Sequence, residues 1–385
     1  MKIHTVKAGD TVFKIAREHG VSPMKIIENN ELENPDRLVV GQKLLILTPT
    51  RTYNVRGADT LRRIADRFGV KYKSMLAKNP YLAGTDKIYP GQLLSIKYDA
   101  PAYGMACANG YCYKGVAKDR LSLAAPYLTY LTVGAGKRSG DETELTFDDS
   151  EVVEFANENG IIPLFRVYDS GVDFSDKYID NLILMAKAHG YKGITLAAYK
   201  AMREAPEKFA EFIIKLKRML MEYDMSLFLE VDGNSEMKLP DLADGYVIMY
   251  EKCPLEDIPS FDGGERRVMT DFAEMSEGSK AYMDIASLGY MGEEEITKAD
   301  FERLAYSSGK EIQDDSERGI CHFEYNKYRG GKKETVRVCF ESLENVKAKL
   351  SLVGELGFMG ISFDIMNIPV EYLMMFETMF SHPDF

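Results

Sequence analysis

Residues 4–47 and 53–97 repeat one another, and this self-similarity limits what the chain can fold into more than any other feature. Val6, Asp10-Thr11, Ile15-Ala16, Gly20-Val21, Asn30 and Gly41-Gln42 return as Val55, Asp59-Thr60, Ile64-Ala65, Gly69-Val70, Asn79 and Gly91-Gln92. In the first unit Thr5-Val6 reads as a short strand. Gly9-Asp10-Thr11 turns the chain and caps a helix from Val12 to Glu18, which Gly20 stops. A second helix opens at Pro23, proline being favoured in a first turn, and ends near Asn29-Asn30. Val39-Val40-Gly41 then turns into a strand from Lys43 to Leu47, so each unit is predicted to be βααβ.

This pattern resembles the LysM family, whose members bind the N-acetyl groups of amino-sugar polymers in a shallow groove. The groove lies between the loop after the first strand and the loop before the second. The resemblance implies glycan contacts at Gly9, Asp10, Thr11, Val12 and Asn30 in the first module, and at Asp59, Thr60, Leu61, Asn79 and Pro80 in the second, made largely through backbone amides. The glycine before Asp-Thr is Gly9 in the first unit, but Ala58 stands there in the second, with glycine displaced to Gly57. A positive φ at that turn would strain Ala58 and weaken the second groove. Two sites reaching one polymer gain avidity of about 10²–10⁴.

Beyond these modules 385 residues leave room for a larger domain, set off by the proline-bearing stretches Thr48-Pro49-Thr50 and Asp99-Ala100-Pro101. The expected boundaries are 1–48, 51–98 and 101–385. Eight strand-like runs follow: Ala102 to Met105, Tyr127 to Val133, Ile161 to Val167, Gly193 to Tyr199, Ser226 to Val231, Gly245 to Tyr250, Tyr282 to Ala286 and Phe358 to Phe363. Helical patterns alternate with them. Phe209, Phe212, Ile213, Leu216, Met219 and Leu220 mark one face, a second helix runs from Asp176 to His189 after Ser175, and a third follows Ser342 and stops at Gly357. Eight alternating units predict an α/β fold, a (β/α)8 TIM-like barrel. A charged stretch around 293–338, with hairpin signals at Tyr328-Arg329-Gly330-Gly331, is expected to be an inserted α+β subdomain.

Segments such as Tyr127-Leu128-Thr129-Tyr130 and Gly360-Ile361-Ser362-Phe363, together with the order of the parts, resemble glycoside hydrolase family 18, and within it the LysM-bearing spore-lytic N-acetylglucosaminidases. In that family the fourth strand carries D-x-x-D-x-D-x-E. The glutamate is the general acid, and the preceding aspartate orients the substrate acetamido group, which itself attacks the anomeric carbon. Here Lys192, Thr195, Ala197 and Tyr199 hold the four places. A phenol with an ordinary pKa of about 10 is a poor proton donor near neutral pH, and alanine offers no polar group. The chain has no tryptophan, and Asp364 stands where the family puts an aromatic floor after the last strand. The expectation is a pseudo-glycosidase that binds cell-wall glycan. The alternatives are a glycosidase using relocated carboxylates, drawn from Glu230, Asp232, Glu251 and Asp364 or with Tyr199 as nucleophile, and a protein-interaction hub.

Composition narrows the partners. A net charge of −12 repels polyanions, so nucleic acid is not expected, and no apolar run approaches the ~20 residues that span a bilayer. Met1 to Gly9 has no apolar core of a signal peptide, which implies synthesis in the cytoplasm. The resemblance implies a place at the spore coat or cortex, with peptidoglycan or chitin-like glycan and other spore-envelope proteins as partners. Cys107, Cys112, Cys253, Cys321 and Cys339 show no metal-site spacing and read as free thiols. His4, His19, His189, His322 and His382 are scattered at element ends, so neither a metal nor a cofactor is expected. The twenty methionines read as core filler, with Met374-Met375-Phe376 on the face of a last helix.

Overall fold

The computed structural model describes residues 1–233, 242–249, 265–276, 280–285, 288–329 and 332–383. Glu251, Cys253 and the Gly330-Gly331 turn lie outside the described residues. Among the described residues no helix is long and apolar enough to cross a membrane.

Each repeat is one βααβ unit. The first comprises β1 (Lys2–Thr5), α1 (Val12–His19), α2 (Pro23–Asn29) and β2 (Lys43–Ile46). The second comprises β3 (Arg51–Asn54), α3 (Leu61–Phe68), α4 (Tyr72–Ala77) and β4 (Leu93–Lys97). In each, the two strands pair antiparallel and the helices close over a small core, of Val6, Val12, Ile15, Ile26, Leu44 and Ile46 in the first and Val55, Leu61, Ile64, Met75, Leu94 and Ile96 in the second. The caps are the predicted ones. Thr11 and Thr60 accept from the backbone N–H of Lys14 and Arg63, and Gly20 and Gly69 end the helices in the left-handed conformation.

The remaining chain runs β5 (Cys107–Cys112), α5 (Lys118–Ala124), β6 (Tyr130–Ser139), β7 (Glu142–Leu145), α6 (Ser150–Glu158), β8 (Ile162–Tyr168), α7 (Asp176–Ala188), β9 (Gly193–Ala197), α8 (Tyr199–Glu204), α9 (Pro206–Glu222), β10 (Ser226–Asp232), β11 (Gly245–Met249), α10 (Glu265–Ser276) and β12 (Ala281–Ile285). An antiparallel sheet with one helix follows: β13 (Gly289–Met291), β14 (Glu294–Ile296), α11 (Lys298–Ser308), β15 (Gln313–Asp315), β16 (Ile320–Arg329) and β17 (Lys332–Glu341). Then α12 (Leu343–Glu355), β18 (Gly360–Asp364) and α13 (Val370–Met379) finish the fold. Eight parallel strands, β5, β6, β8, β9, β10, β11, β12 and β18, pair in that order, and β5 pairs with both β18 and β6, so the barrel is closed.

One strand differs from the sequence expectation. The first barrel strand is Cys107–Cys112, not Ala102 to Met105. Its sequence, Cys-Ala-Asn-Gly-Tyr-Cys, lacks the β-branched run that marks a strand, yet all six residues are buried. Gly110 is needed there, because a Cβ would come within 2.8 Å of the side chains of Ile365 and Leu128. The fourth barrel strand also ends earlier than expected, at Ala197, and Tyr199 opens a helix.

Inside the barrel the side chains form layers. Cys107, Leu164, Phe228, Val247 and Tyr282 make an apolar floor. Above it lies a buried polar belt. Thr132 donates to Asn109 Oδ1 at 2.9 Å and lies 3.3 Å from Thr195 Oγ1, and Asn109 Nδ2 donates to Ser362 at 3.2 Å.

The modules are docked on the barrel. Lys25 of the first module is buried and donates to Asn79 Oδ1 and the Tyr81 hydroxyl of the second. Module 2 meets the barrel through the Tyr127 hydroxyl on the Ala77 carbonyl (2.7 Å), Lys73 on the Leu128 carbonyl (2.8 Å) and a Lys78–Glu377 ion pair (2.7 Å). Module 1 meets it through Arg120–Glu31 (3.0 Å), Lys43–Glu344 (2.9 Å) and a backbone bond from Ile312 N–H to the Val40 carbonyl (2.9 Å).

Candidate functional site

Parallel strands of a closed barrel end together at one rim, and in such barrels that rim carries the chemistry. Alternation along β9 aims Thr195 and Ala197 inward, Thr195 into the polar belt and Ala197 one level higher, with Tyr199 at the top. Lys192 is exposed just before β9, at the opposite end of the barrel from the mouth.

The inward residue of β10 at the same height is Glu230, only 1% exposed. A carboxylate buried this deeply must be paired and hydrogen-bonded. Arg166 of β8 grips it with both arms, Nε on Oε1 at 2.6 Å and Nη2 on Oε2 at 2.7 Å. The hydroxyls of Tyr113 and Tyr199 donate to the two oxygens at 3.1 and 2.9 Å. The Arg166 guanidinium lies 4.1 Å from the centre of the Tyr113 ring, which stacks on Tyr111, and the Tyr111 hydroxyl faces Asp284 Oδ2 at 3.5 Å. Burial, and then the Glu230 charge, raise the phenols of Tyr113 and Tyr199 well above their ordinary range, so both stay protonated donors. Burial works against the Arg166 charge, but Glu230 outweighs it and the guanidinium stays protonated.

Of the four carboxylates of the relocated-acid alternative, the three among the described residues are in different situations. Glu230 has its oxygens committed to four donors. Asp232 is exposed just above it at the end of β10. Asp364, at the end of β18, accepts from Met366 N–H (3.0 Å) and Asn367 Nδ2 (2.6 Å), which closes the turn after the strand. Arg166, Tyr111, Tyr113 and Asp284 were missed in the sequence. Arg166 carried a signal, being the one charged residue inside the run Ile161 to Val167. Asp284 carried the same signal inside Tyr282 to Ala286, while Tyr111 and Tyr113 lay on or beside the strand that the sequence misplaced.

In the LysM modules the structure separates loop positions from core positions. Gly9, Thr11 and Thr60 are exposed, whereas Val12, Leu61 and Pro80 are buried and belong to their cores. Asp10 and Asp59 each accept a backbone N–H, of Lys7 and Arg56 respectively, at 2.8 Å, and so fix the loop from within. The side chains of Asn30 and Asn79 are turned inward. Asn30 donates to the Ile26 and Leu45 carbonyls and accepts from Leu45 N–H; Asn79 makes the same bonds with Met75 and Ser95. Both tie the second helix of the unit to its last strand and face no solvent. The expected strain at Ala58 is absent as well. Gly9 has φ of 81°, but Ala58 is not among the positive-φ residues, and the bond from Asp59 N–H to the Arg56 carbonyl (3.1 Å) closes the turn without one.

A cleft of about 700 Å³ runs between the loop after α2, helix α11 and the turn after β18. Its wall includes Arg37, whose guanidinium lies 5.2 Å from the Tyr306 ring centre.

Comparison with known proteins bears on the modules and on the fold. The LysM domain family matches residues 4–47 and 53–97. The cell wall-binding protein YocH of Bacillus subtilis is 35% identical over 109 residues, 27% of this chain and 37% of its own length. The chain spans between 33% and 38% of the length of the first curated relatives it matches. The crystal structure of the spore cortex-lytic enzyme SleL of Bacillus megaterium superposes with a TM-score of 0.74 at 22% identity, over 99% of this chain and 98% of that one. A chitinase from Chromobacterium violaceum superposes with a TM-score of 0.62 at 19% identity, over 71% of this chain and 98% of that one. Residues 4–47 and 53–97 of this chain are LysM domains, and the barrel that follows them has the glycoside hydrolase family 18-like fold.

Proposed function

We propose that this protein binds N-acetylglucosamine-containing cell-wall glycan, peptidoglycan or chitin-like, through its tandem LysM modules, and that its barrel does not cut the polymer. The observation that carries the second half is the closed Arg166–Glu230–Tyr113–Tyr199 network. Where family 18 chemistry needs an acetamide-orienting carboxylate and a protonated acid, this chain has the methyl group of Ala197 and a phenol donating to an already paired glutamate. Both Glu230 oxygens are already taken by donors, the Arg166 guanidinium on each and one tyrosine hydroxyl on each, so neither is free to meet a leaving glycosidic oxygen. Binding rests on the LysM match and on the exposed Gly9–Thr11 and Thr60 loops. The cleft beside the loop after α2 supports a path along which a glycan held by module 1 would also meet the barrel.

On this reading the chain divides into modules 1–48 and 51–98 and a barrel 101–385 with an insertion around 293–338, and it serves a structural role in the wall. Likeness to SleL structures supports a place in the spore envelope, coat or cortex, with other envelope proteins as neighbours. The test is to incubate the purified chain with cortex peptidoglycan and with chitin oligomers across a broad pH range, measuring pelleting and new reducing ends. Co-sedimentation without reducing ends is expected. Turnover that disappears in Glu230→Gln, Asp232→Asn or Asp364→Asn would overturn the non-cutting reading and identify the acid, and failure to sediment would overturn the binding one.

A further inference from the structure

The two LysM modules share the βααβ plan, and a difference between them at one side-chain cluster points to a metal. In module 1, β1 and the end of α1 bring His4, Glu18 and His19 together, with one ligand atom from each lying within 4.8 Å of the others. His4 Nδ1 and His19 Nε2 are 3.1 Å apart. Two nitrogens bound at 2.0–2.1 Å to one tetrahedral ion stand about 3.3 Å apart, so the pair is already near chelating separation. The other ring nitrogen of His4, Nε2, is 3.1 Å from the Asp10 carboxylate, which is itself held by Lys7 N–H. An ionised carboxylate only accepts, so Nε2 carries the proton and Nδ1 turns its lone pair toward His19. A histidine oriented by a carboxylate in this way is the usual support of a metal-bound imidazole.

Module 2 is an internal control. With Asp59 retained in place of Asp10, the positions of His4, Glu18 and His19 hold Tyr53, Arg67 and Phe68. Tyr53 donates to Asp59 at 2.7 Å, Arg67 donates to the Tyr53 hydroxyl at 2.7 Å, and Tyr53 meets Phe68 edge to face at 5.5 Å, as His4 meets His19 at 5.2 Å. The fold therefore asks these positions for two edge-to-face rings and a donor to the loop aspartate. It does not ask for two imidazoles and a carboxylate.

We propose that module 1 binds a divalent cation of the zinc class through His4 Nδ1, His19 Nε2 and the Glu18 carboxylate, leaving a fourth position open to solvent. Two imidazoles and one carboxylate suit Zn2+, and three protein ligands leave a coordination place for water or an external donor. Without the ion, His19 donates Nε2–H to His4 Nδ1. With it, His19 carries its proton on Nδ1 instead, a change of tautomer that releases no proton from the neutral rings. Glu18 is exposed and His4 buried, so the ion enters from the solvent side and sits against the Asp10 loop.

The test is calorimetric titration of the full chain, stripped with EDTA, with ZnCl2, repeated on His19→Phe and Glu18→Gln. The first variant copies the phenylalanine that module 2 already accommodates, and its metal-free thermal melt checks folding. One equivalent is expected to bind, with affinity falling by about 100-fold or more in His19→Phe and by about 10-fold or more in Glu18→Gln, since loss of an outer-shell partner alone costs about 10–100-fold. Cobalt substitution should give a spectrum without thiolate-to-metal charge transfer, which separates this site from the cysteines. No uptake of zinc, or equal uptake by His19→Phe, overturns the proposal and leaves a plain His–His hydrogen bond.

Discussion

Glu230 is the residue on which the barrel mouth turns, and its burial makes a sharp demand. Replacing it with glutamine keeps the shape but leaves the Arg166 charge buried without its counter-ion. Breaking such a pair from one side is expected to cost about 3 kcal/mol or more, readable as a lower midpoint in urea. An unchanged midpoint would mean that water reaches Arg166 and that the mouth is more open than the network implies. Asn79 makes a parallel demand in module 2. Asn79→Ala strips the Ser95 N–H and carbonyl and the Met75 carbonyl of their side-chain partner and removes an acceptor from buried Lys25. Unsatisfied buried groups cost about 1–3 kcal/mol each, so module 2 should unfold locally, seen as fast hydrogen exchange at Leu94–Ile96. Protection as in the parent chain would show that Asn79 is dispensable to the core. The side chains of Asn30 and Asn79 make the same internal bonds in both units, and the sequence alone does not distinguish a residue repeated for packing from one repeated for binding.

At the scale of elements, β5 shows how strand context overrides composition. Asn109 and Gly110 argue against a strand, and only the close approach of Ile365 and Leu128 explains why glycine is there. The other seven barrel strands were legible as apolar runs because parallel strands are buried on both faces. Their ends were not, since the rim is defined by partners far away in sequence. For the same reason Ala197 and Tyr199 were readable from β9, while Arg166, Tyr113 and Glu230 became one network only when closure of the barrel brought β8, β10 and the residue after β5 to one mouth. Burial of these elements also governs their thiols. It pushes Cys112, Cys321 and Cys339 from an ordinary 9.0 up to about 12, and raises Cys107 as well. In a Cys253→Ser chain, iodoacetamide at pH 8 should label none of the four until denaturant is added; rapid native labelling would contradict their burial. The unfolded chain ionises its thiols first as pH rises past 9, so the stability they contribute is intact below pH 9 and lost between about 9 and 12. The melting temperature should fall across that window.

At the scale of the whole molecule, the modules differ from beads on a string because their contacts with the barrel use buried and backbone groups. Module 2 is held by Lys78 on the buried Glu377, whose own burial would raise its carboxyl but is outweighed by His382 and Lys78, which leave it lowered. A depressed carboxyl contributes stability above its ordinary value of 4.5 and loses it as pH falls below, so this clamp weakens in acid. Module 1 is held where Gly41, at φ of 88°, lets the Ile312 carbonyl come close; an added Cβ would stand 1.9 Å from that oxygen. Neither Gly41 nor Ile312 is interpretable alone in the sequence, since 271 residues separate them and Gly41 recurs as Gly91, which has open space around it. Gly41→Ala is therefore expected to undock module 1, whereas Gly91→Ala, with a similar φ of 85°, carries the backbone strain alone. Limited proteolysis separates the two effects. The stretch Thr48-Pro49-Thr50 should become cleavable in Gly41→Ala and stay protected in Gly91→Ala. Equal cleavage of both would assign the protection to the module's own fold, and equal resistance would mean that module 1 keeps its place without the Val40–Ile312 contact. A docked pair fixes the direction from which a glycan can approach both LysM loops, so the same Gly41→Ala chain should pellet on peptidoglycan with altered avidity while each module's own loop is unchanged.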